Sequence, residues 1–137
     1  MKKYLILLLI TVLVVSCSSS NDDVSQNSNT LNPPDWIKGT WAYKSGSPGE
    51  YTYTPIYNFK NNDFCSIIGN TEFCTMQSQG SMSVIKVTET KTDTDYKFSF
   101  TVQGITTSYH FIKISNTKIE YVKPVQGISL NQELFKQ

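Results

Sequence analysis

From Tyr96 to Phe111, large apolar residues recur at alternate positions, broken only by Thr107, and mirror one another about Gln103-Gly104. Side chains alternate between faces along a strand, and opposed residues of a hairpin share a face. A two-residue turn at Gln103-Gly104 sets Val102 opposite Ile105, Phe100 opposite Thr107, Phe98 opposite Tyr109 and Tyr96 opposite Phe111. The large residues then lie together on one face, with Lys97, Ser99, Thr101 and Gln103 on the other. A slip of one residue would scatter them.

The rest of the chain obeys the same period. No stretch after Pro33 holds a helical repeat, and turn signals return at roughly 8–12-residue intervals, as in antiparallel barrels and sandwiches. The expected strands are Gly39–Lys44, Tyr51–Phe59, Phe64–Ile68, Thr71–Met76, Met82–Thr90, Tyr96–Val102, Ile105–Ile114 and Lys118–Lys123. The tail Ile128–Phe135 reads as a further strand or a short helix. A turn at Asn116-Thr117 pairs Lys113 with Glu120 and Ile114 with Ile119. That puts Ile112 and Ile114 on the opposite face from Tyr109 and Phe111. Either the strand is bulged near His110–Ile112, or both of its faces are covered.

A turn at Gly69-Asn70 places Cys65 directly opposite Cys74, at a non-hydrogen-bonded pair. Such pairs bring Cα atoms to about 4.5 Å, within reach of a disulfide. The alternatives are two reduced thiols or a metal site. The second is poorly furnished, since two thiolates without a nearby histidine leave zinc short of ligands.

The first residues have another purpose. Met1-Lys2-Lys3 is followed by Tyr4–Val15, twelve uncharged and mostly aliphatic residues. A spanning helix needs roughly 20 apolar residues, so residues 1–16 read as a signal peptide. Leu13-Val14-Val15-Ser16-Cys17 resembles the lipobox of bacterial lipoproteins. The resemblance implies cleavage before Cys17 and acylation of its thiol, with several acyl chains giving durable anchorage. Ser18 directly after Cys17 resembles lipoproteins sent to the outer membrane, and Asp22-Asp23 resembles signals that carry some of them to the cell surface. Residues 17–32 are polar apart from Val24 and Leu31, which suits a flexible, lipidated tether. Export also favours a bridge between Cys65 and Cys74.

Residues 33–137 are expected to form one domain. Of 12 basic residues, Lys2 and Lys3 leave with the signal, so 10 lysines face 11 acids in the mature chain, with no arginine. Nucleic-acid binding needs clustered basic side chains, and none are clustered here.

The domain opens Pro33-Pro34-Asp35-Trp36-Ile37-Lys38-Gly39-Thr40-Trp41, in which Asp35 suits the cap of a short helical turn. A turn followed by Gly-x-Trp on the first strand resembles the lipocalin-like families. Tyr57–Phe64 and Ile114–Ile119 resemble later hairpins of the same plan. The resemblance implies an all-β fold: a small antiparallel up-and-down barrel of about eight strands. Trp41 would plug its closed end, and Gly39 would permit close packing there. That family usually sets an arginine from a late strand over the tryptophan, and this chain has no arginine to place there.

Tyr51, Tyr53, Tyr57 and Phe59 alternate along one expected strand, interrupted by Pro55, and with Phe98 and Tyr109 they are the candidate ligand-contacting residues. Pro55 cannot donate to a ladder, so it marks an edge or a bulge, and an open edge there could receive a partner. His110 is the sole histidine; the hairpin register sets it opposite Lys97 on the polar face, with no orienting carboxylate in the pattern. No phosphate loop, metal motif or nucleotide fingerprint occurs. No catalytic residue, metal or cofactor is therefore expected.

The expected function is that of a membrane-anchored lipoprotein with a noncatalytic binding role, its ligand a small apolar molecule or lipid. The alternative is a protein-interaction module, such as an envelope-anchored inhibitor or accessory subunit. Small disulfide-bonded lipoprotein barrels resemble the periplasmic inhibitors of lysozyme in broad architecture.

Overall fold

A computed structural model of the chain describes residues 26–28, 30–77, 86–125 and 128–137. The signal segment, Cys17 and Met82–Ile85 of one expected strand lie outside the described residues. The strands are β1 (Gln26–Ser28), β2 (Gly39–Ser45), β3 (Thr52–Phe59), β4 (Phe64–Ile68), β5 (Thr71–Cys74), β6 (Lys86–Lys91), β7 (Asp95–Val102), β8 (Ile105–Ser115), β9 (Lys118–Val125) and β10 (Ile128–Lys136). Among the described residues there is no helix, and the tail is a strand.

Every strand from β2 onward pairs with its successor except β5 with β6, and β10 returns to pair with β2. The sheet therefore curls into a half-barrel with one unbonded seam, between β5 and β6. Where about eight strands were expected, nine longer ones and the three-residue β1 are found.

The registers show what the alternation encodes. β7 and β8 pair as the mirror pattern requires, from Val102↔Ile105 to Tyr96↔Phe111. β4 and β5 pair as expected, with Cys65 opposite Cys74. The β8–β9 register is corrected. It shifts between Lys113 and Ser115, so Lys113 opposes Ile119 and Ile112 opposes Glu120. The bulge is at Ile114, nearer the turn than expected. It leaves Ile114 exposed and returns Ile119 and Tyr121 to the face that carries Phe111.

That face holds the core. Phe59, Phe64, Phe98 and Phe111 are buried, and their rings meet across the curl. Phe59 lies 5.1 Å from Phe111 and Phe64 lies 5.2 Å from Phe98, ring centre to ring centre. Aromatic packing thus joins β3–β4 to β7–β8 without backbone bonds between them.

One end of the half-barrel is filled by a tryptophan. Trp41 is fully buried and donates its indole N–H to the Ile37 carbonyl at 2.6 Å. Gly39 has φ +110°, and a Cβ there would stand 3.3 Å from the Lys136 side chain. The Lys136 ammonium lies 5.5 Å from the centre of the Trp41 ring, so the last strand supplies a cation over the indole. The expected helical turn is a single turn over Asp35–Ile37, in which the Asp35 carboxylate bonds Lys38 at 2.6 Å.

Part of the expected tether, residues 17–32, is bound to the sheet. β1 pairs with the edge of β6, and Leu31 and Pro33 are buried. The Asn32 amide donates to both oxygens of the buried Glu89 carboxylate, at 2.9 and 3.0 Å, and the Tyr96 hydroxyl donates to the same group. Lys91 donates to the Asn32 carbonyl at 2.8 Å. This segment covers the edge of β6, the flank of the seam that hydrogen bonding between strands leaves open.

Candidate functional site

The half-barrel has one end at Trp41 and the other where the β4–β5 and β7–β8 turns lie. Inner-facing residues change character between the two. Near the Trp41 end they are buried rings. Midway stand Tyr57, Tyr109 and Tyr121, packed against one another with centroids 5.7 to 6.3 Å apart. Burial pushes the Tyr57 hydroxyl well above the ordinary tyrosine range, and the neighbouring Tyr121 and Tyr109 hydroxyls add to it. Tyr109 and Tyr121 are raised too, chiefly by burial. These phenols stay protonated and form a neutral, hydrogen-bonding floor.

Above this floor the inner face is apolar yet uncovered. Alternation from Phe64 turns Ile68 inward, and Phe73 opposes the inward Ser66. Ile105 and Leu130 also point inward by register. Their exposures are 69% for Ile68, 54% for Phe73, 73% for Ile105 and 56% for Leu130. These four side chains, called the mouth below, share the inner face with the three tyrosines and stand nearer the far end of the strands.

The candidate ligand residues divide between two surfaces. Phe59 and Phe98 are core, and Tyr57 and Tyr109 join them at the floor. Tyr51 and Tyr53 do not extend that wall, which corrects the picture of one aromatic stripe. The β2–β3 register shifts between Trp41↔Tyr57 and Ala42↔Pro55, leaving Ile56 as the extra residue. Its insertion flips the earlier part of β3. Tyr53 then faces outward against Phe135, 6.0 Å away, and Tyr51 carries the Lys44 ammonium 3.5 Å over its ring. The mouth residues were absent from the sequence candidates, although the β4–β5 and β7–β8 registers alone suffice to turn Ile68, Phe73 and Ile105 inward.

A second cluster lies on the outer face of β6–β8. His110 meets the Asp95 carboxylate at 2.8 Å and Lys97 meets it at 3.3 Å. The expectation that His110 lacks an orienting carboxylate is therefore corrected; Asp95 reaches it diagonally, from two residues along the partner strand. Thr88, Thr90, Ser99 and Ser108 flank this cluster in a groove of about 270 Å³.

Cys65 and Cys74 are bonded, with Cα atoms 3.9 Å apart. Asp63 lies beside them, within 4.8 Å. Its carboxylate already accepts the amides of Phe64, Met76 and Gln77. The sulfurs are committed to each other and the carboxylate to backbone, so the trio serves as a clasp where β5 ends. Lys60 and Asn58 both bond Glu72 over the same hairpin, at 2.7 Å each, and hold its carboxyl below the usual range.

Comparison with known proteins found no match to this chain: no family model, no curated protein and no solved structure is similar to it.

Proposed function

We propose that this chain is a lipoprotein of the cell envelope, held at the outer membrane by lipid on Cys17, whose lipocalin-like half-barrel binds a small apolar ligand without catalysis. The observation that carries the binding role is the mouth: Ile68, Phe73, Ile105 and Leu130 face inward and remain exposed above the tyrosine floor. Convergent exposed apolar side chains over a few polar groups are the usual makings of a ligand site. The filled lower half limits depth, so the reading favours a short acyl or aromatic group over a long buried chain. The lipocalin-like plan is supported by Gly39 and Trp41 at the plugged end, with Lys136 standing where that family places arginine. The anchor is supported by Leu13-Val14-Val15-Ser16-Cys17.

Titration of the purified protein with an environment-sensitive naphthalene dye, displaced by decanol, tests the ligand role. Phe73→Ser with Ile105→Ser should weaken dye binding at least tenfold, and Tyr53→Ser should leave it unchanged. A folded protein that ignores the dye sinks the proposal. Labelled palmitate should enter the wild-type chain in cells and not Cys17→Ala.

A further inference from the structure

A consequence of Pro55 lies on the far side of β2. The bulge beside Pro55 falls between Trp41 and Ala42, and bulges bend and twist the strands that carry them. Pairing of β2 with β10 covers only Trp41–Tyr43 against Leu134–Lys136. Past that point β2 runs on to Ser45, and β10 extends back through Glu133 to Ile128, with no pairing between them. The wall of the barrel forks. A cleft of about 650 Å³ opens in the fork, lined by Tyr43, Lys44, Tyr51, Lys123, Leu130 and Gln132 among others.

Each arm of the fork presents a strand edge. β10 is bonded to β9 along one side from Ile128 to Phe135, but its other side is unpaired before Leu134. Unpaired edges hold backbone donors and acceptors that an added strand can satisfy. The side chains supply selectivity. Glu133 is neutralised by an ion pair with Lys118. Lys44 and Lys123 have no carboxylate partner among the described residues; their ammonium groups rest over the rings of Tyr51 and Tyr121. The cleft thus combines an open edge, aromatic and aliphatic walls, and two cations without acids.

We propose that this fork is a peptide-binding site that takes an extended, acidic segment of a partner protein by strand addition to β10. Side chains on one face of such a segment would meet Tyr43, Leu130 and Lys123, those on the other would meet Lys44, and a carboxylate on either face would find an ammonium group. The site shares Leu130 with the mouth but does not involve Ile68, Phe73 or Ile105.

The test uses the whole chain and a seven-residue peptide, Ac-Thr-Val-Asp-Val-Asp-Val-Thr-amide, beside its Val-Lys counterpart. The acidic peptide should bind and slow amide exchange across Leu130–Glu133. The lysine peptide should bind at least tenfold more weakly, and N-methylation along the edge-facing side of the acidic peptide should abolish binding. Lys44→Glu with Lys123→Glu should invert the charge preference. Absent protection at Leu130–Glu133 under saturating peptide, equal affinity for both peptides, or protection confined to the mouth around Phe73 and Ile105 would each overturn the proposal. The two-peptide comparison on the unmodified chain decides the matter even if the double variant fails to fold.

Discussion

Leu31→Ala separates a tether from a structural element. In a solvated linker the change should alter stability by no more than about 0.5 kcal/mol. In the structure Leu31 is 1% exposed and belongs to the core cluster with Trp41, Val87 and Tyr96. Truncation of a buried leucine loses transfer free energy and leaves a cavity, together about 2–5 kcal/mol. For a domain of this size each kcal/mol shifts the melting temperature by about 4 °C, between the values for smaller and larger domains. The expected fall is therefore about 8–20 °C, read by circular dichroism on the reversible transition. Leu134→Ala, at another fully buried position, should fall by a similar amount. Leu130→Ala, at a position 56% exposed, should cost less than about 1 kcal/mol. A Leu31→Ala melt within about 2 °C of the parent, with Leu134→Ala behaving as expected, would refute the packing of residues 30–33 into the barrel.

Three further outcomes follow from particular contacts. Replacing Cys65 and Cys74 by serine opens a crosslink of sequence separation 9, which by loop entropy should cost about 2.5 kcal/mol in denaturant titration; an unchanged midpoint would mean that the bridge constrains nothing. Deleting Ile114 should be tolerated, within about 1 kcal/mol, because it removes the bulged residue and leaves Lys113↔Ile119 and Ser115↔Lys118 as consecutive pairs. Deleting His110 instead should unfold the protein, since it makes Tyr109 and Phe111 consecutive and so puts them on opposite faces. At alkaline pH the sign is set by Tyr57, Tyr96, Tyr109 and Tyr121, all raised by burial. The unfolded chain ionises its tyrosines near pH 10, so stability is full below that pH and falls as pH rises through and above it. Their phenolate absorbance should appear together with loss of far-UV signal; ionisation well ahead of unfolding would contradict their burial.

Local pattern carried much of this architecture. The period-two alternation about Gln103-Gly104 requires the β7–β8 register, because any slip exposes Phe98 and Phe111. The spacing about Gly69-Asn70 brings Cys65 to Cys74 for the same reason. Trp41 and Ile37 are four residues apart, and the bond from the indole to the Ile37 carbonyl is equally local. These features are set by residues close along the chain, where turn geometry leaves few choices.

What only the tertiary structure decided involves distant partners. Leu31 sits in a polar run that reads as tether, and it is buried because distant strands bring Trp41, Val87 and Tyr96 into one cluster with it and Glu89 offers Asn32 an acceptor. Pro55 announced a bulge or an edge; the bulge proved to lie beside it, turning Tyr53 outward, and the end of β2–β10 pairing at Tyr43 was not legible in the sequence. The mouth has the same origin. Ile68, Phe73, Ile105 and Leu130 come from three separate hairpins, and only the curl of the sheet turns their common face inward. Alternation dictates which way a side chain points, whereas closure of the sheet dictates what it meets there.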